Sequence, residues 1–328
     1  MKFTYIRKTA SLLLAGLLTF GICSCSAAGI GTGNGKLKIV TTIFPEYDWV
    51  REIAGDKLAD IDLTMLLDNG VDMHSFQPTA QDIIKISSCD VFVYVGGESD
   101  EWVEDALKEA VNKNMQVVNL LDLLGEGVVE EELAEGMQAE EECEDEEEGP
   151  EYDEHVWLSL RNAQILVTGI AGAMGKADPE NAGTYKANAE AYNNKLKELD
   201  GRYADAVANG AKDTVLFGDR FPFRYLTDDY KLNYYAAFAG CSAETEASFE
   251  TVVFLSGKID ELGLKKVLVI ESADQKIAQT IIDNTATKDQ EILVMDSMQA
   301  TTSADSAKGV TYVSVMENNL EVLEKALA

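Results

Sequence analysis

Histidine is almost missing from this chain, at 2 of 328 residues, and basic residues are scarce, 27 Lys and Arg against 58 Asp and Glu for a net charge of −31. A chain so negative repels phosphate backbones and anionic headgroups, which excludes nucleic acid as a partner and makes a cation the natural guest. Cysteine is also sparse, and beyond the N-terminal segment only Cys89, Cys143 and Cys241 remain. They form no CxxC pair and no dense framework, so neither a thiolate cluster nor a disulfide scaffold is indicated, although a single Cys89–Cys241 bridge stays open. HExxH, GxSxG and an obvious general base are absent, which leaves no support for an enzyme. Past the N-terminal segment no apolar run is long enough to span a bilayer.

What is present begins with an export signal. Lys2, Arg7 and Lys8 precede a short apolar run ending in small residues, the layout of a secretory signal at residues 1–24. Cys25 follows Ile22-Cys23-Ser24 in an imperfect lipobox and is the expected lipidation site, anchoring the protein to the outer face of the cell membrane. Residues 25–35, rich in Ala and Gly, read as a flexible tether. Cleavage before Cys25 shortens 328 residues to 304 and, with three basic residues lost, takes −31 to −34. That length suits two domains of ordinary size.

The body alternates strand and helix. Lys36–Phe44, Asp60–Leu66, Val91–Val95 and Gln116–Asn119 read as strands; Glu46–Asp56, Thr79–Ser87 (with Thr79 as N-cap) and Asp100–Lys113 read as helices. The pattern returns with strands at Val215–Phe217, Leu232–Phe238, Val267–Ile270 and Ile292–Met295, and helices at Phe249–Leu262, Gln275–Asn284 and Ser314–Leu327. Such alternation implies an α/β fold with mostly parallel sheets. We expect two lobes, residues 36–178 and 210–328, joined by one long helix at residues 179–209, where Ala, Glu, Lys, Asn and Leu dominate. In residues 130–154, 15 of 25 are Asp or Glu and none is basic, a composition unable to pack a core.

Both histidines sit in polar, turn-prone segments. His74 follows a strand and precedes the helix capped by Thr79, where ligands bind in open α/β sheets. His155 stands where the acidic run meets the apolar segment Val156-Trp157-Leu158. Imidazole is a common Zn2+ ligand, but two rings half-fill a tetrahedral shell, so one or two carboxylates should complete it. Composition cannot choose among so many.

Together these segments resemble the metal-specific solute-binding proteins of ABC transporters, the group holding zinc- and manganese-binding lipoproteins and streptococcal adhesins. The opening Ile39-Val-Thr-Thr-Ile-Phe-Pro45 resembles that family's first strand, His74-Ser-Phe-Gln-Pro-Thr79 its first ligand motif and His155-Val-Trp-Leu158 its second; Val93-Tyr-Val-Gly-Gly97 with Trp102 also matches. The resemblance covers nearly all the mature chain. It implies the cluster A-I architecture, with metal held in the cleft between two lobes and little hinge motion. The acidic run lies where zinc-binding members carry a His-rich loop.

The resemblance also implies a third and a fourth ligand. Members usually place His or Glu a few residues before an aromatic-x-Tyr run, and strict spacing back from Tyr225 lands on Arg220, which has no lone pair to give. Asp219 is therefore assigned the third position if the Pro222 turn shifts the register, with Glu244 or Glu246 as alternates. Asp296 resembles the fourth ligand of mixed sites, and Glu271 is a weaker candidate. Arg220 and Arg224 should pair with acidic groups such as Glu244 or Glu246. The implied function is capture of Zn2+, with Mn2+ or Fe2+ as the alternative, for delivery by a monomer to an ABC import permease; a cell-surface adhesin is the other reading.

Overall fold

In the computed structural model, residues 35–138, 151–242 and 246–328 are described. The export signal, Cys25, most of the tether, residues 139–150 of the acidic run with Cys143, and Glu244 lie outside the described residues. Four strands, β1 (Leu37–Thr41), β2 (Ile61–Met65), β3 (Val91–Tyr94) and β4 (Gln116–Asn119), pair in parallel in the order β2-β1-β3-β4. Four more, β5 (Thr214–Phe221), β6 (Asn233–Ala239), β7 (Lys266–Ile270) and β8 (Glu291–Met295), repeat that order as β6-β5-β7-β8. Strands such as Val91-Phe-Val and Val267-Leu-Val-Ile are apolar on both faces because helices cover both sides. The chain is thus two-lobed α/β, as the alternation predicted.

In chain order the helices are α1 (Phe44–Ala54), α2 (Ala80–Ser88), α3 (Trp102–Lys108), α4 (Leu120–Leu124), α5 (Leu160–Ala177), α6 (Ala182–Asn209), α7 (Arg224–Tyr230), α8 (Phe249–Leu262), α9 (Lys276–Asp283), α10 (Ser303–Ala307) and α11 (Tyr312–Ala326). Local chemistry starts several of them. Thr79 accepts from the Asp82 amide at the start of α2, and Ser159, Ser248 and Thr311 do the same work for α5, α8 and α11. Helix α5 was not marked by the sequence reading. Its Gly169 and Gly175 lower helix propensity, yet the first lets Leu123 press close and the second lets Ala182 do so.

The long helix α6 buries Tyr185, Ala189, Tyr192, Leu196, Leu199 and Tyr203, one stripe at alternating steps of four and three residues. That stripe packs on α5, α1 and α11. Tyr203 donates its hydroxyl to the Met316 carbonyl at 2.6 Å, and Asn188 donates to the Ile53 carbonyl at 2.9 Å, so α6 is tied to both lobes. One buried apolar cluster runs from Ile39 in β1 to Leu327 after α11, and a smaller one lies under α8 and α9. Among the described residues no helix is long and apolar enough to cross a membrane.

Candidate metal centre

His74 lies in the turn between β2 and α2 and His155 stands between the acidic run and α5, and each has an aspartate two residues before it that accepts from its backbone N–H. Asp72 accepts from the His74 backbone N–H at 3.1 Å, closing a single helical turn over Met73–Ser75. His74 Nδ1 lies 2.8 Å from Ser99 Oγ and 3.5 Å from Glu154 Oε2, which leaves Nε2 pointing inward. Asp153 Oδ1 accepts from the His155 backbone N–H at 2.9 Å and faces its Nδ1 at 3.0 Å. His155 Nε2 therefore points inward too. A carboxylate behind the ligand ring fixes tautomer and orientation in metal sites generally.

The two Nε2 atoms are 3.3 Å apart. Two nitrogens bound at about 2.0–2.1 Å to one tetrahedral Zn2+ lie about 3.3–3.4 Å from each other, so the rings hold the edge of such a shell. Burial pushes the His74 imidazole down, and the neighbouring His155 pushes the same way. At His155 burial also acts downward, but Asp153 outweighs it together with Glu154 and Glu131, and the net direction is up.

The second lobe reaches the pair through the turn after β6. A Cβ on Gly240 would lie 2.9 Å from His155 Cε1 and 3.0 Å from Nδ1, so only glycine lets the chain pass against the imidazole. The next residue is Cys241, whose sulfur lies with the two ring nitrogens in a group spanning no more than 4.8 Å. Cys89 and Cys241 are both free, so the bridge left open by the sequence is absent. Cys89 instead packs its sulfur 3.3 Å from Met115 Sδ.

The acidic run opens beside this cluster. Glu130 and Tyr152 form an antiparallel bridge, the Glu131 amide donates to the Glu151 carbonyl at 2.9 Å, and the Asp153 amide donates to the Val129 carbonyl at 3.0 Å. These bonds close the neck of the run immediately before His155.

The carboxylates expected to complete the shell have other partners. Asp219 lies where β5 shifts register between Phe217 and Arg220, and its Oδ2 accepts from the Ile270 amide at 3.4 Å. Asp296 accepts from the Met298 amide at 2.7 Å, and burial, with Glu271 nearby, pushes its carboxyl up to about 6. Glu271 is taken up by Ser297, whose amide donates at 2.7 Å and whose hydroxyl donates at 2.9 Å. Glu246 is exposed. Arg220 pairs with Asp72 at 2.8 Å, and Arg224 pairs with Glu132 at 2.7 Å and Asp228 at 3.2 Å, so both arginines meet acidic groups as expected, through residues other than Glu246.

Gln299 was missed altogether. Oriented so that its oxygen meets a donor, its amide donates to Asp72 Oδ2 at 3.1 Å and Oδ1 at 2.7 Å and accepts from His155 Nε2 at 3.2 Å. Asp72 itself lies 3.9 Å from His74 Nε2. A neutral amide and a guanidinium thus stand beside the imidazoles; the third-ligand spacing pointed to Arg220, and no ligand motif marks Gln299.

A family model described as zinc-uptake complex component A, periplasmic (ZnuA), matches residues 39–326. The chain belongs to the ZnuA family. Among ZnuA-family relatives, zinc-binding protein AdcA of Streptococcus pyogenes is 31% identical over 324 residues, 97% of this chain and 61% of AdcA, so the chain spans about three fifths of that relative's length. The high-affinity zinc uptake system protein ZnuA of Bacillus subtilis is 30% identical over 315 residues, 95% of this chain and 94% of its own. The solved Zn(II)-bound ZnuA-like domain of Streptococcus pneumoniae AdcA superposes with a TM-score of 0.69 at 28% identity, covering 89% of this chain and 99% of that domain.

Proposed function

We propose that this chain captures a divalent transition metal, Zn2+ in first place, outside the membrane and delivers it to an ABC import permease. The observation that carries the reading is the pair of inward Nε2 atoms 3.3 Å apart, each ring held from behind at Nδ1. The relatives described as zinc-binding and zinc-uptake proteins support it and favour it over the adhesin reading. No turnover is involved: the protein holds the ion, a lipid on Cys25 keeps it beside the permease, and docking releases it inward. His74 and His155 are the ligands we assign. Asp296 and Asp219 each accept a backbone amide on one oxygen, from Met298 and Ile270, and keep the other oxygen for an ion. The acidic run raises local cation concentration at the mouth of the site through weak, fast-exchanging carboxylates.

Protein lacking the export signal, stripped of metal and dialysed against equal Zn2+, Mn2+ and Fe2+, should retain close to one equivalent of Zn2+ by elemental analysis. Retention of Mn2+ in preference to Zn2+ would move the protein to the manganese alternative, and retention of no ion would overturn the reading.

Arg220 puts a fixed positive charge beside the imidazoles, and like charges in a half-buried site repel by more than in water. Arg220→Ala is therefore expected to raise Zn2+ affinity by roughly ten-fold, partly by releasing Asp72 toward His74 Nε2. Competition against a chelator reads the change. A fall in affinity would mean that Arg220 holds Asp72 where the metal needs it.

A further inference from the structure

Cys241 is neither a structural half-cystine nor part of any sequence motif, yet the fold takes pains to place it. Its backbone N–H donates to Glu131 Oε1 at 3.1 Å. The glycine before it is required for the close pass against His155. Sulfur, His74 and His155 together form a three-donor group within 4.8 Å, two donors from the first lobe and one from the second.

We infer that Cys241 is the third ligand, giving this ZnuA-family chain a two-imidazole, one-thiolate metal shell that bridges the lobes. The inference rests on the metal-capture reading above and names its ligand set. Binding breaks the S–H bond, forms a metal–sulfur bond and releases the proton to solvent, with no change in oxidation state. In a tetrahedral Zn2+ site a nitrogen and a thiolate sulfur lie about 3.5–3.6 Å apart, so the group needs to contract by no more than about 1.3 Å. Asp72, or water, is then left for the fourth position. Thiolate is a soft donor that suits Zn2+ and is a poor partner for Mn2+, so the sulfur, more than the imidazoles, sets the choice of metal. It also does what a carboxylate at Asp219 or Asp296 was expected to do, because it ties the ion to the second lobe.

The experiment substitutes Co2+ into the chain lacking its export signal and compares wild type with Cys241→Ser and, as a control for the acidic run, Cys143→Ser. Wild type and Cys143→Ser should show a near-ultraviolet sulfur-to-cobalt charge-transfer band, and Cys241→Ser should lose it while keeping the visible bands of imidazole-bound Co2+. Zn2+ affinity of Cys241→Ser should fall at least ten-fold, with its preference for Zn2+ over Mn2+ narrowed. Visible cobalt bands without charge transfer in wild type, with Cys241→Ser binding Zn2+ as wild type does, would overturn the thiolate while leaving the metal centre standing. If wild type takes up neither Co2+ nor Zn2+, the thiolate and the capture reading fall together.

Discussion

Changing both imidazoles, His74→Ala/His155→Ala, is expected to abolish the tight metal site, lowering Zn2+ affinity on the order of a thousand-fold or more, about 4 kcal/mol. The size follows from where the rings stand. Each supplies one edge atom of the shell, the two nitrogens are already at ligand spacing, and loss of an outer-shell partner alone typically costs 10–100-fold in metal sites. Isothermal titration with chelator competition reads the affinity. Unfolding reads it a second way, since an ion that binds only the native state stabilises it, by about 4 kcal/mol at a thousand times the dissociation constant. Zinc should therefore raise the melting temperature of wild type and leave that of the double variant unmoved. His155 is fully buried and its removal strands Asp153, so His155→Gln, which keeps volume and a donor, is the companion variant. If the double variant still holds one equivalent as tightly as wild type does, the metal lies elsewhere.

How much of this centre could be read beforehand depended on whether its parts were local. His74 and His155 were readable as candidates because each sits in a short local segment, His74-Ser-Phe-Gln-Pro-Thr79 and His155-Val-Trp-Leu158, that resembles a ligand motif. The Asp72-x-His74 and Asp153-x-His155 repeats were a signal available in the sequence, and they were passed over. Cys241 could not be found that way. It enters from the other lobe, its neighbours carry no motif, and a cysteine count argued only against clusters and scaffolds. The expected carboxylates also make bonds that no local pattern announces. Asp219, Asp296 and Glu271 do stand at or near the ends of second-sheet strands, as read, but a strand end also presents free backbone amides, and those amides took the carboxylates first.

The fold was more legible than the site because its signals repeat. Strands β4, β7 and β8 and helices α8 and α9 fall within a residue of their predicted spans, where apolar runs and caps agree. Helix α5 escaped because its three glycines and its β-branched Ile165, Val167, Thr168 and Ile170 lower helix propensity; what holds it is close packing on α6, where Gly175 leaves room for Ala182. The predicted helix at residues 100–113 shortens to Trp102–Lys108, with Asp100 in a preceding turn accepting from the Gly96 amide at 3.0 Å.

The second large effect is expected at Trp157, two residues after the second histidine. Its indole is fully buried, donates Nε1–H to the Ser297 carbonyl at 2.9 Å, and has its ring centre 5.2 Å from that of His155. Its own carbonyl accepts from the Tyr312 hydroxyl at 2.6 Å, and Tyr312 packs edge-on against Trp49. The side chain thus fixes the His155 turn and the loop that carries Gln299, while the backbone carbonyl of the same residue holds the start of α11. Trp157→Ala should cost about 3–5 kcal/mol of stability, as large-to-small changes in close-packed cores do. Trp157→Phe keeps most of the volume and removes only the donor, so it should cost about 1–3 kcal/mol, the price of a buried carbonyl left unpaired. Denaturant melts of the metal-free protein measure both, and an alanine variant within about 1 kcal/mol of wild type would mean the indole is not the brace described. Metal binding discriminates further. With Ser297 released, Gln299 loses its hold on Asp72 and His155, so Trp157→Phe should alter Zn2+ affinity by about ten-fold even though it touches no ligand atom and stays folded.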